Sequence, residues 1–240
     1  MKTILITGCA RRLGLDLVKS FLAQDYKVIG VTRKHNDELL TLQDQETHNF
    51  LLIESGSYDK TGALAIIEAC CNESIDILIN NASCYEDDGK NLDSMAEKFQ
   101  MFFDVHMMFP TLLCEWLGEQ SVKTAISNDK IIINITDIFA DNPSKTSGHY
   151  CSTKAGLESI TKSIAKKYAP FIRANSIQPG PVKFLPSHSQ EAKNKVLSET
   201  LLASEGGFEC LIKTVEFIIN NHYLTGTCIK VDGGRAINRG

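Results

Sequence analysis

The sequence predicts an α/β fold: a doubly wound parallel sheet of about seven strands with helices on both faces. Short apolar runs alternate with segments of helical periodicity along the whole chain, a pattern typical of strand–helix units. The strand runs are almost continuously apolar, as expected for strands that are buried on both faces of a sheet. No linker or repeat interrupts the alternation, so we expect a single domain over residues 1–240.

The first predicted strand covers residues 3–7, which are β-branched or apolar and are followed by Gly8. Apolar residues then recur at helical spacing from Leu15 to Leu22. The stretch at about 179–205 is the least regular, and we expect it to contribute to substrate binding, because open parallel sheets bind ligands beyond the carboxyl ends of their strands. Further strands are predicted at 27–32, 50–53, 75–79, 131–136, 172–177 and 227–231, and further helices at about 64–69, 101–117 and 147–168.

The composition excludes several classes of protein. Hydrophobic residues make up 43% of the chain and charged residues 22%, values that exclude a disordered, collagen-like or coiled-coil chain. The formal net charge of −4 argues against a nucleic-acid partner, which would need a broad basic surface. No apolar run approaches the ~18 residues of a membrane span. The N-terminus lacks the apolar core of a signal peptide, so we expect a cytoplasmic protein with no membrane partner. The eight cysteines form no Cys-x-x-Cys pair and no zinc spacing with histidine, so we expect reduced thiols and no metal.

The segment from Thr7 to Gly14 joins the first strand to the first helix and is typical of a phosphate-binding turn. Gly8 permits a tight turn, and Gly14 permits the helix to pack closely on the strand. The N–H groups at a helix N-terminus favour the pyrophosphate of a dinucleotide. Arg12 could pair with a phosphate or reach the substrate. An ordinary strand–helix turn without a ligand remains the alternative.

The second strand ends in Thr32-Arg33-Lys34, at the place where a carboxylate would bind the ribose 2′-hydroxyl of NAD. No carboxylate is present there, and a cation suits the 2′-phosphate of NADP. The sequence therefore predicts NADPH as the cofactor, with a solvated basic turn as the alternative.

Tyr150 and Lys154 stand four residues apart in a predicted helix, so their side chains share one face. An ammonium group beside a phenol favours the phenolate, and we expect it to lower the pKa of Tyr150. The pair then predicts a proton-transfer site, the alternative being two surface residues of an amphipathic helix.

These motifs together resemble the short-chain dehydrogenase/reductase family over essentially the whole chain. The resemblance implies a Rossmann-type fold, a nicotinamide cofactor, catalysis by Tyr150 and Lys154, and a homotetramer. The motifs, in the order and spacing of that family, are Thr7-Gly8 with Gly14, Asn80-Asn81-Ala82, Tyr150 with Lys154, Pro179-Gly180, and Val231-Asp232-Gly233-Gly234. The cofactor-binding residues that the resemblance implies are Gly8, Arg11, Arg12, Leu13, Gly14, Thr32, Arg33, Asn81, Ala82, Ser83, Tyr150, Lys154, Pro179, Gly180 and Val182.

Three details are similar to the pteridine reductase branch, and within it to the bacterial dihydromonapterin reductases. Asp137 occupies the place of the family's catalytic serine, and Arg12 the place of the middle glycine. Ser83 is followed closely by the aromatic Tyr85. The resemblance implies a dihydropterin substrate, with dihydrofolate as a further possibility for the same site.

The chemistry of a pterin agrees with these residues. Reduction of its ring C=N bond places hydride on carbon and requires a proton at nitrogen, which a carboxylic acid at Asp137 beside Tyr150 could supply or relay. Tyr85 could stack on the flat ring, while Ser83 and Arg12 could bind its polar edge. For Tyr85, the alternative is an aromatic loop residue that only covers the end of the sheet. For Asp137, the alternative is that the chain is an inactive homologue in which the catalytic serine has been lost.

Two further departures from the family concern His106 and Ser55. His106 stands where the family often has an asparagine that takes part, with water, in a relay to tyrosine and lysine. Ser55 stands near the position where the family often has an aspartate that binds the adenine of the cofactor.

Two other functions stay open: an NADPH-dependent carbonyl reductase of the same fold, and a non-catalytic NADP-binding regulator. The predicted helix at 101–117 is more apolar than one buried face requires, which allows the homotetramer.

Overall fold

The computed structural model describes residues 1–124 and 130–238, and it confirms the predicted fold class. All seven strands are parallel and form one sheet in the order β3-β2-β1-β4-β5-β6-β7. The strand order reverses between β1 and β4, and sheets of this type bind ligands at that reversal. The strands are β1 (Thr3–Thr7), β2 (Lys27–Thr32), β3 (Phe50–Glu54), β4 (Ile77–Asn80), β5 (Lys130–Ile135), β6 (Ile172–Pro179) and β7 (Cys228–Val231).

The strands β1 and β2 have the predicted bounds, and the other strands differ at their ends by two residues at most. Eight α-helices lie between the strands of the described chain, and three of them, α2, α7 and α8, were not predicted. The helices are α1 (Arg12–Leu22), α2 (Asp37–Gln45), α3 (Lys60–Ala69), α4 (Leu92–Phe103), α5 (Phe109–Thr124), α6 (Gly148–Lys167), α7 (Gln190–Ser198) and α8 (Gly207–Asn220).

Helix α7 corrects the expectation that residues 179–205 are irregular. Its first turn is capped by Ser189, whose side chain accepts a hydrogen bond from the backbone N–H of Ala192. None of its residues is buried, so the helix lacks the apolar periodicity on which the prediction relied. The loops on either side of α7 remain without regular structure.

The predicted helix at 101–117 is interrupted in the structure. One π-helical turn, Asp104–Met108, separates α4 from α5. Such turns insert one extra residue per turn and are frequent at functional sites. Here the turn carries His106, whose side chain is 1% exposed.

The core lies in two layers, one on each face of the sheet. Ile4 and Ile6 face the layer under α1 and α8, whereas Leu5 faces the layer under α3, α5 and α6. This alternation follows from the two-residue period of a strand. Within the described ranges 1–124 and 130–238, no helix is both long and apolar enough to cross a membrane.

Candidate active site

The turn after β1 is held rigidly against the loop after β4. Gly8 has a φ of +70°, and a Cβ atom there would lie 2.7 Å from the Cα atom of Ala82. A Cβ atom on Gly14 would lie 2.1 Å from the carbonyl oxygen of Gly8. The Asn81 side chain donates a 3.1 Å hydrogen bond to that same oxygen. Both positions therefore require glycine.

The N-terminus of α1 has the features of an anion site. Arg11 precedes the helix and makes no side-chain cap, and no acidic residue lies in the first turn. The helices α2, α3, α4 and α7, by contrast, all have their first N–H groups capped by side chains. The N-terminus of α1 thus lacks a side-chain cap, and the positive end of the helix dipole would attract an anion there. Leu13, the second residue of the helix, is buried.

Arg12 adopts the left-handed conformation, with a φ of +54°, at the position of the middle glycine of the family pattern. A side chain in this conformation is uncommon. The Arg12 guanidinium donates a 2.6 Å hydrogen bond to the Lys183 carbonyl and lies 5.3 Å from the ring centre of Phe208. Nearby, the buried Val182 accepts a backbone hydrogen bond from Gly207. Arg12 therefore links the phosphate turn to the segment after β6.

The end of β2 presents a cation to solvent beside the phosphate turn. Arg33 is exposed, and its guanidinium lies 5.3 Å from the ring centre of Tyr58. The Thr32 hydroxyl donates a 2.8 Å hydrogen bond to the Lys34 carbonyl, which fixes the turn. Ser55 is buried, and its hydroxyl lies within hydrogen-bond distance of the Thr32 carbonyl.

The predicted catalytic residues Asp137, Tyr150 and Lys154 lie together in the structure and form a candidate reaction centre. Asp137 follows β5, and its Oδ1 accepts a 2.9 Å hydrogen bond from the backbone N–H of Phe139. The Tyr150 hydroxyl donates a 2.9 Å hydrogen bond to Asp137 Oδ2. Lys154 is fully enclosed, donates to the Ile135 carbonyl at 3.1 Å, and lies 5.8 Å from the Tyr150 ring centre. The three side chains converge at the carboxyl end of β5.

The pKa of Tyr150 is raised well above its usual value, which corrects the expectation that Lys154 lowers it. Burial is the main cause, and the negative charge of Asp137 adds to it. Burial also raises the pKa of Asp137 and lowers the pKa of Lys154 to about 8. The tyrosine is therefore kept protonated, as a proton donor must be.

The loop after β4 covers one side of this centre. The Tyr85 ring is 5.0 Å from the Tyr150 ring, in an edge-to-face arrangement, and 57% of Tyr85 is exposed. Its hydroxyl reaches Ser147 at 3.5 Å. Ser83 is exposed as well, and its hydroxyl lies 3.0 Å from His106 Nε2. An open aromatic face and an accessible hydroxyl thus stand beside Tyr150.

Asp88 anchors this loop to the helix that carries Tyr150. Its carboxylate accepts hydrogen bonds from the backbone N–H groups of Gly148, at 2.9 Å, and His149, at 3.2 Å. It therefore caps α6 from sixty residues away, in place of Ser147, which makes no side-chain cap. Sequence analysis missed Asp88, because a cap from a distant segment leaves no local signal.

The strand ends β6 and β7 close the other side of the centre. Gly180 donates a 2.9 Å backbone hydrogen bond to Val231, just after Pro179 ends β6. Beyond β7, Arg235 pairs with Glu199 at 2.7 Å and lies 5.6 Å from the Phe139 ring centre. Its charge acts to lower the pKa of Asp137, against the larger effect of burial. The proximity of Arg235 to Asp137 could not be read from the sequence.

The structure brings together all of the predicted catalytic and substrate-binding residues except Arg12. Asp137, Tyr150, Lys154, Ser83 and Tyr85 come together at the ends of β4 and β5, whereas Arg12 is held against the segment after β6. The phosphate turn and the end of β2 form a separate part of the same edge of the sheet. Within residues 1–124 and 130–238 no group of His, Cys, Asp or Glu is arranged to hold a metal ion.

The family model for short chain dehydrogenases matches residues 2–195. The chain therefore belongs to the short-chain dehydrogenase family, which is a family of oxidoreductases.

The relatives that resemble the chain over nearly its full length include several dihydromonapterin reductases. The protein of that name from Enterobacter sp. (strain 638) is 27% identical over 239 residues, covering 99% of this chain and 98% of its own. The one from Klebsiella pneumoniae subsp. pneumoniae is 28% identical over 240 residues, covering 98% and 97%. The one from Escherichia coli (strain K12) is 27% identical over 234 residues, covering 97% and 95%.

Solved structures share the fold closely. A 4-hydroxyisoleucine dehydrogenase mutant, complexed with NADH and succinate, has a TM-score of 0.90 at 22% identity, with full coverage of both chains. A short chain dehydrogenase from Leptospira borgpetersenii serovar Hardjo-bovis, with bound NAD+, has a TM-score of 0.84 at 25% identity and covers 98% of this chain and 92% of its own.

Proposed function

We propose that this protein is an NADPH-dependent reductase of dihydropterins, with a substrate similar to dihydromonapterin. The observation that carries the proposal is the 2.9 Å hydrogen bond between the Tyr150 hydroxyl and the Asp137 carboxyl group. A carboxyl group stands where most of the family has a serine hydroxyl, which suits protonation of a ring nitrogen better than binding of a carbonyl oxygen. The similarity to dihydromonapterin reductases agrees with this substrate class.

The cofactor site fits a dinucleotide. The uncapped start of α1, with Gly8, Arg11 and Leu13 around it, offers N–H groups to the pyrophosphate. Arg33 offers a cation to a ribose 2′-phosphate, beside Thr32. Bound NADPH supplies the hydride. The residues that we propose to hold its nicotinamide half are Asn81, Ala82, Ser83, Tyr150, Lys154, Pro179, Gly180 and Val182.

The chain's own residues supply the proton. Tyr150, kept protonated by burial, donates from its hydroxyl to the substrate. When Asp137 carries a proton, the hydrogen bond between the two groups can run from the carboxyl group to the phenol oxygen, and Asp137 then replaces the proton that Tyr150 has given up. Because burial raises the pKa of Asp137, this carboxyl group holds a proton more readily than an exposed aspartate. Lys154 adds a positive charge at the centre, which stabilises the negative charge that develops as the proton leaves.

Recognition of the substrate rests on one aromatic face and two polar groups. The exposed ring of Tyr85 is available to stack on a flat heterocycle. The exposed hydroxyl of Ser83 would bind the polar edge of that heterocycle. Arg12 contacts Lys183 and Phe208, so its contribution to substrate binding passes through the segment after β6.

Steady-state oxidation of NADPH with a small substrate panel tests the proposal. The panel contains dihydromonapterin, dihydrobiopterin, dihydrofolate and several ketones. We expect turnover of at least one dihydropterin well above that of any ketone. Turnover of ketones alone would favour the carbonyl reductase, and tight NADPH binding without turnover of any substrate would favour the non-catalytic regulator.

A further inference from the structure

His106 links the two sides of the reaction centre. Its Nε2 atom lies 3.0 Å from the Ser83 hydroxyl and 3.3 Å from the backbone nitrogen of Cys84. Its Nδ1 atom lies 3.0 Å from the Thr153 hydroxyl, one turn along α6 from Tyr150. The ring is enclosed, with Phe102 stacked on it.

The backbone fixes the position of the proton on this ring. The Cys84 N–H group can only donate, so Nε2 must accept and carries no proton. Burial and the charge of Lys154 lower the pKa of His106 well below its usual value, so the ring is neutral. Its single proton therefore lies on Nδ1 and is donated to Thr153. The Thr153 hydroxyl in turn donates to the Tyr150 carbonyl at 2.8 Å, so each group in the chain donates once.

The same assignment fixes the direction of the Ser83 hydrogen bond. Since Nε2 has no proton to give, the hydrogen bond between Ser83 and His106 is donated by the Ser83 hydroxyl. The Ser83 oxygen keeps its lone pairs, and the residue is exposed. We propose that His106 is a specificity-determining residue, because it turns Ser83 into a hydrogen-bond acceptor that selects ligands with an N–H donor at their edge.

This inference rests on the proposed function and narrows its substrate class. A simple ketone has only an acceptor oxygen, and an oxygen beside Ser83 would meet lone pairs. A reduced pterin carries N–H groups on its ring and its amino substituent, which match the acceptor. The role of Ser83 as a hydrogen-bond acceptor thus favours a nitrogen heterocycle over a carbonyl compound.

The position of the proton on the His106 ring can be measured directly by 15N NMR. The sample is the whole protein, labelled with 15N at histidine and saturated with NADP+. The prediction is a protonated Nδ1 and an unprotonated Nε2 on His106 from pH 6 to pH 8. A proton on Nε2, or a doubly protonated ring, overturns the proposal. This measurement needs no substrate, so its result stands even if no dihydropterin is turned over.

Two variants test the consequence for binding. His106→Phe keeps an aromatic ring against Phe102 but removes the acceptor, which frees the Ser83 proton. Ser83→Ala removes the lone pairs. We expect each to raise the KM for dihydromonapterin, and the dissociation constant of biopterin measured by calorimetry, by about tenfold, with a smaller change in kcat.

The double variant, His106→Phe with Ser83→Ala, separates an effect on specificity from simple structural damage. If the two residues act as one unit, the double variant raises KM no more than either single variant does. His106→Gln supplies an acceptor oxygen again and is expected to restore part of the affinity. Thermal unfolding of each variant shows whether it is folded. Additive effects in folded variants, or an unchanged KM in Ser83→Ala, overturn the proposal.

Discussion

The Tyr150 hydroxyl donates a hydrogen bond of 2.9 Å to the Asp137 carboxyl group. The two residues lie thirteen positions apart, one after β5 and one in α6, and the bond is formed where burial raises the pKa of both groups. A proton that passes along this pair to a substrate leaves a negative charge on Asp137, which the charge of Lys154 stabilises. The predictions below follow from this arrangement and from the residues around it.

The first prediction concerns the pH dependence of turnover. Asp137 must be protonated to supply the tyrosine, so kcat with a dihydropterin should fall as pH rises through the raised pKa of Asp137. Asp137→Asn keeps the size of the side chain and removes the acid, so kcat should decrease and this limb of the profile should disappear. NADPH affinity should barely change. The exposed Asp141, which pairs with Lys230, offers Asp141→Asn as a control that should keep the limb.

Tyr150 and Lys154 should each be needed for turnover. Tyr150→Phe removes the proton donor, and Lys154→Ala removes the charge buried beside it, so each variant should lower kcat by roughly 10² or more. NADPH binding should survive the tyrosine change, as fluorescence titration can check. A Tyr150→Phe enzyme with nearly full turnover would refute the assignment.

Arg33 should set the preference for NADPH over NADH. We expect kcat/KM to favour NADPH by at least about tenfold, or ~1.4 kcal/mol, through pairing of the 2′-phosphate with this exposed cation. Arg33→Asp should reduce or reverse the preference. The same change of charge at Lys213 on α8, an exposed residue paired with Glu209, should leave the preference unchanged. Equal kcat/KM values for the two cofactors in the wild type would contradict this prediction.

The protein should form a homotetramer. The segment from Phe102 to Phe109 is strongly apolar; both of these end residues are buried, whereas Phe103, Met107 and Met108 remain partly exposed. Packing of this segment and of α6 against a second subunit would cover the exposed portions. Multi-angle light scattering at micromolar concentration should give four times the mass of 26.5 kDa. A monomer under those conditions would contradict the expectation.

The residues of the candidate site were identified from the sequence, and they lie together in the structure. The strands could be predicted because buried parallel strands carry continuous apolar runs. The strands β1 and β2 have the predicted bounds for this reason. Helix α7 could not be predicted, because none of its residues is buried and the periodic signal is absent. The π-helical turn at His106 could not be predicted for another reason: it keeps the apolar pattern of a helix and only shifts the phase of that pattern.

Only part of the electrostatics of the candidate reaction centre could be predicted from the sequence. The pairing of Tyr150 with Lys154 was expected to lower the pKa of the phenol, and the structure gives the opposite direction. Burial depends on the packing of the whole chain, which spacing along one helix does not encode. The direction of the hydrogen bond to Asp137 likewise needs three-dimensional geometry. The cap that Asp88 provides to α6 joins segments sixty residues apart and is invisible to any local pattern.

The most direct test of the account is kcat/KM for dihydromonapterin in Asp137→Ser, measured beside the wild type with saturating NADPH. This change restores the hydroxyl that most of the family has at that place and removes the carboxyl group that we propose to replace the Tyr150 proton. The account predicts that dihydromonapterin turnover is lost, whereas NADPH binding is kept and a trace of ketone reduction is gained. Undiminished dihydromonapterin turnover in the serine variant would contradict the central role of Asp137.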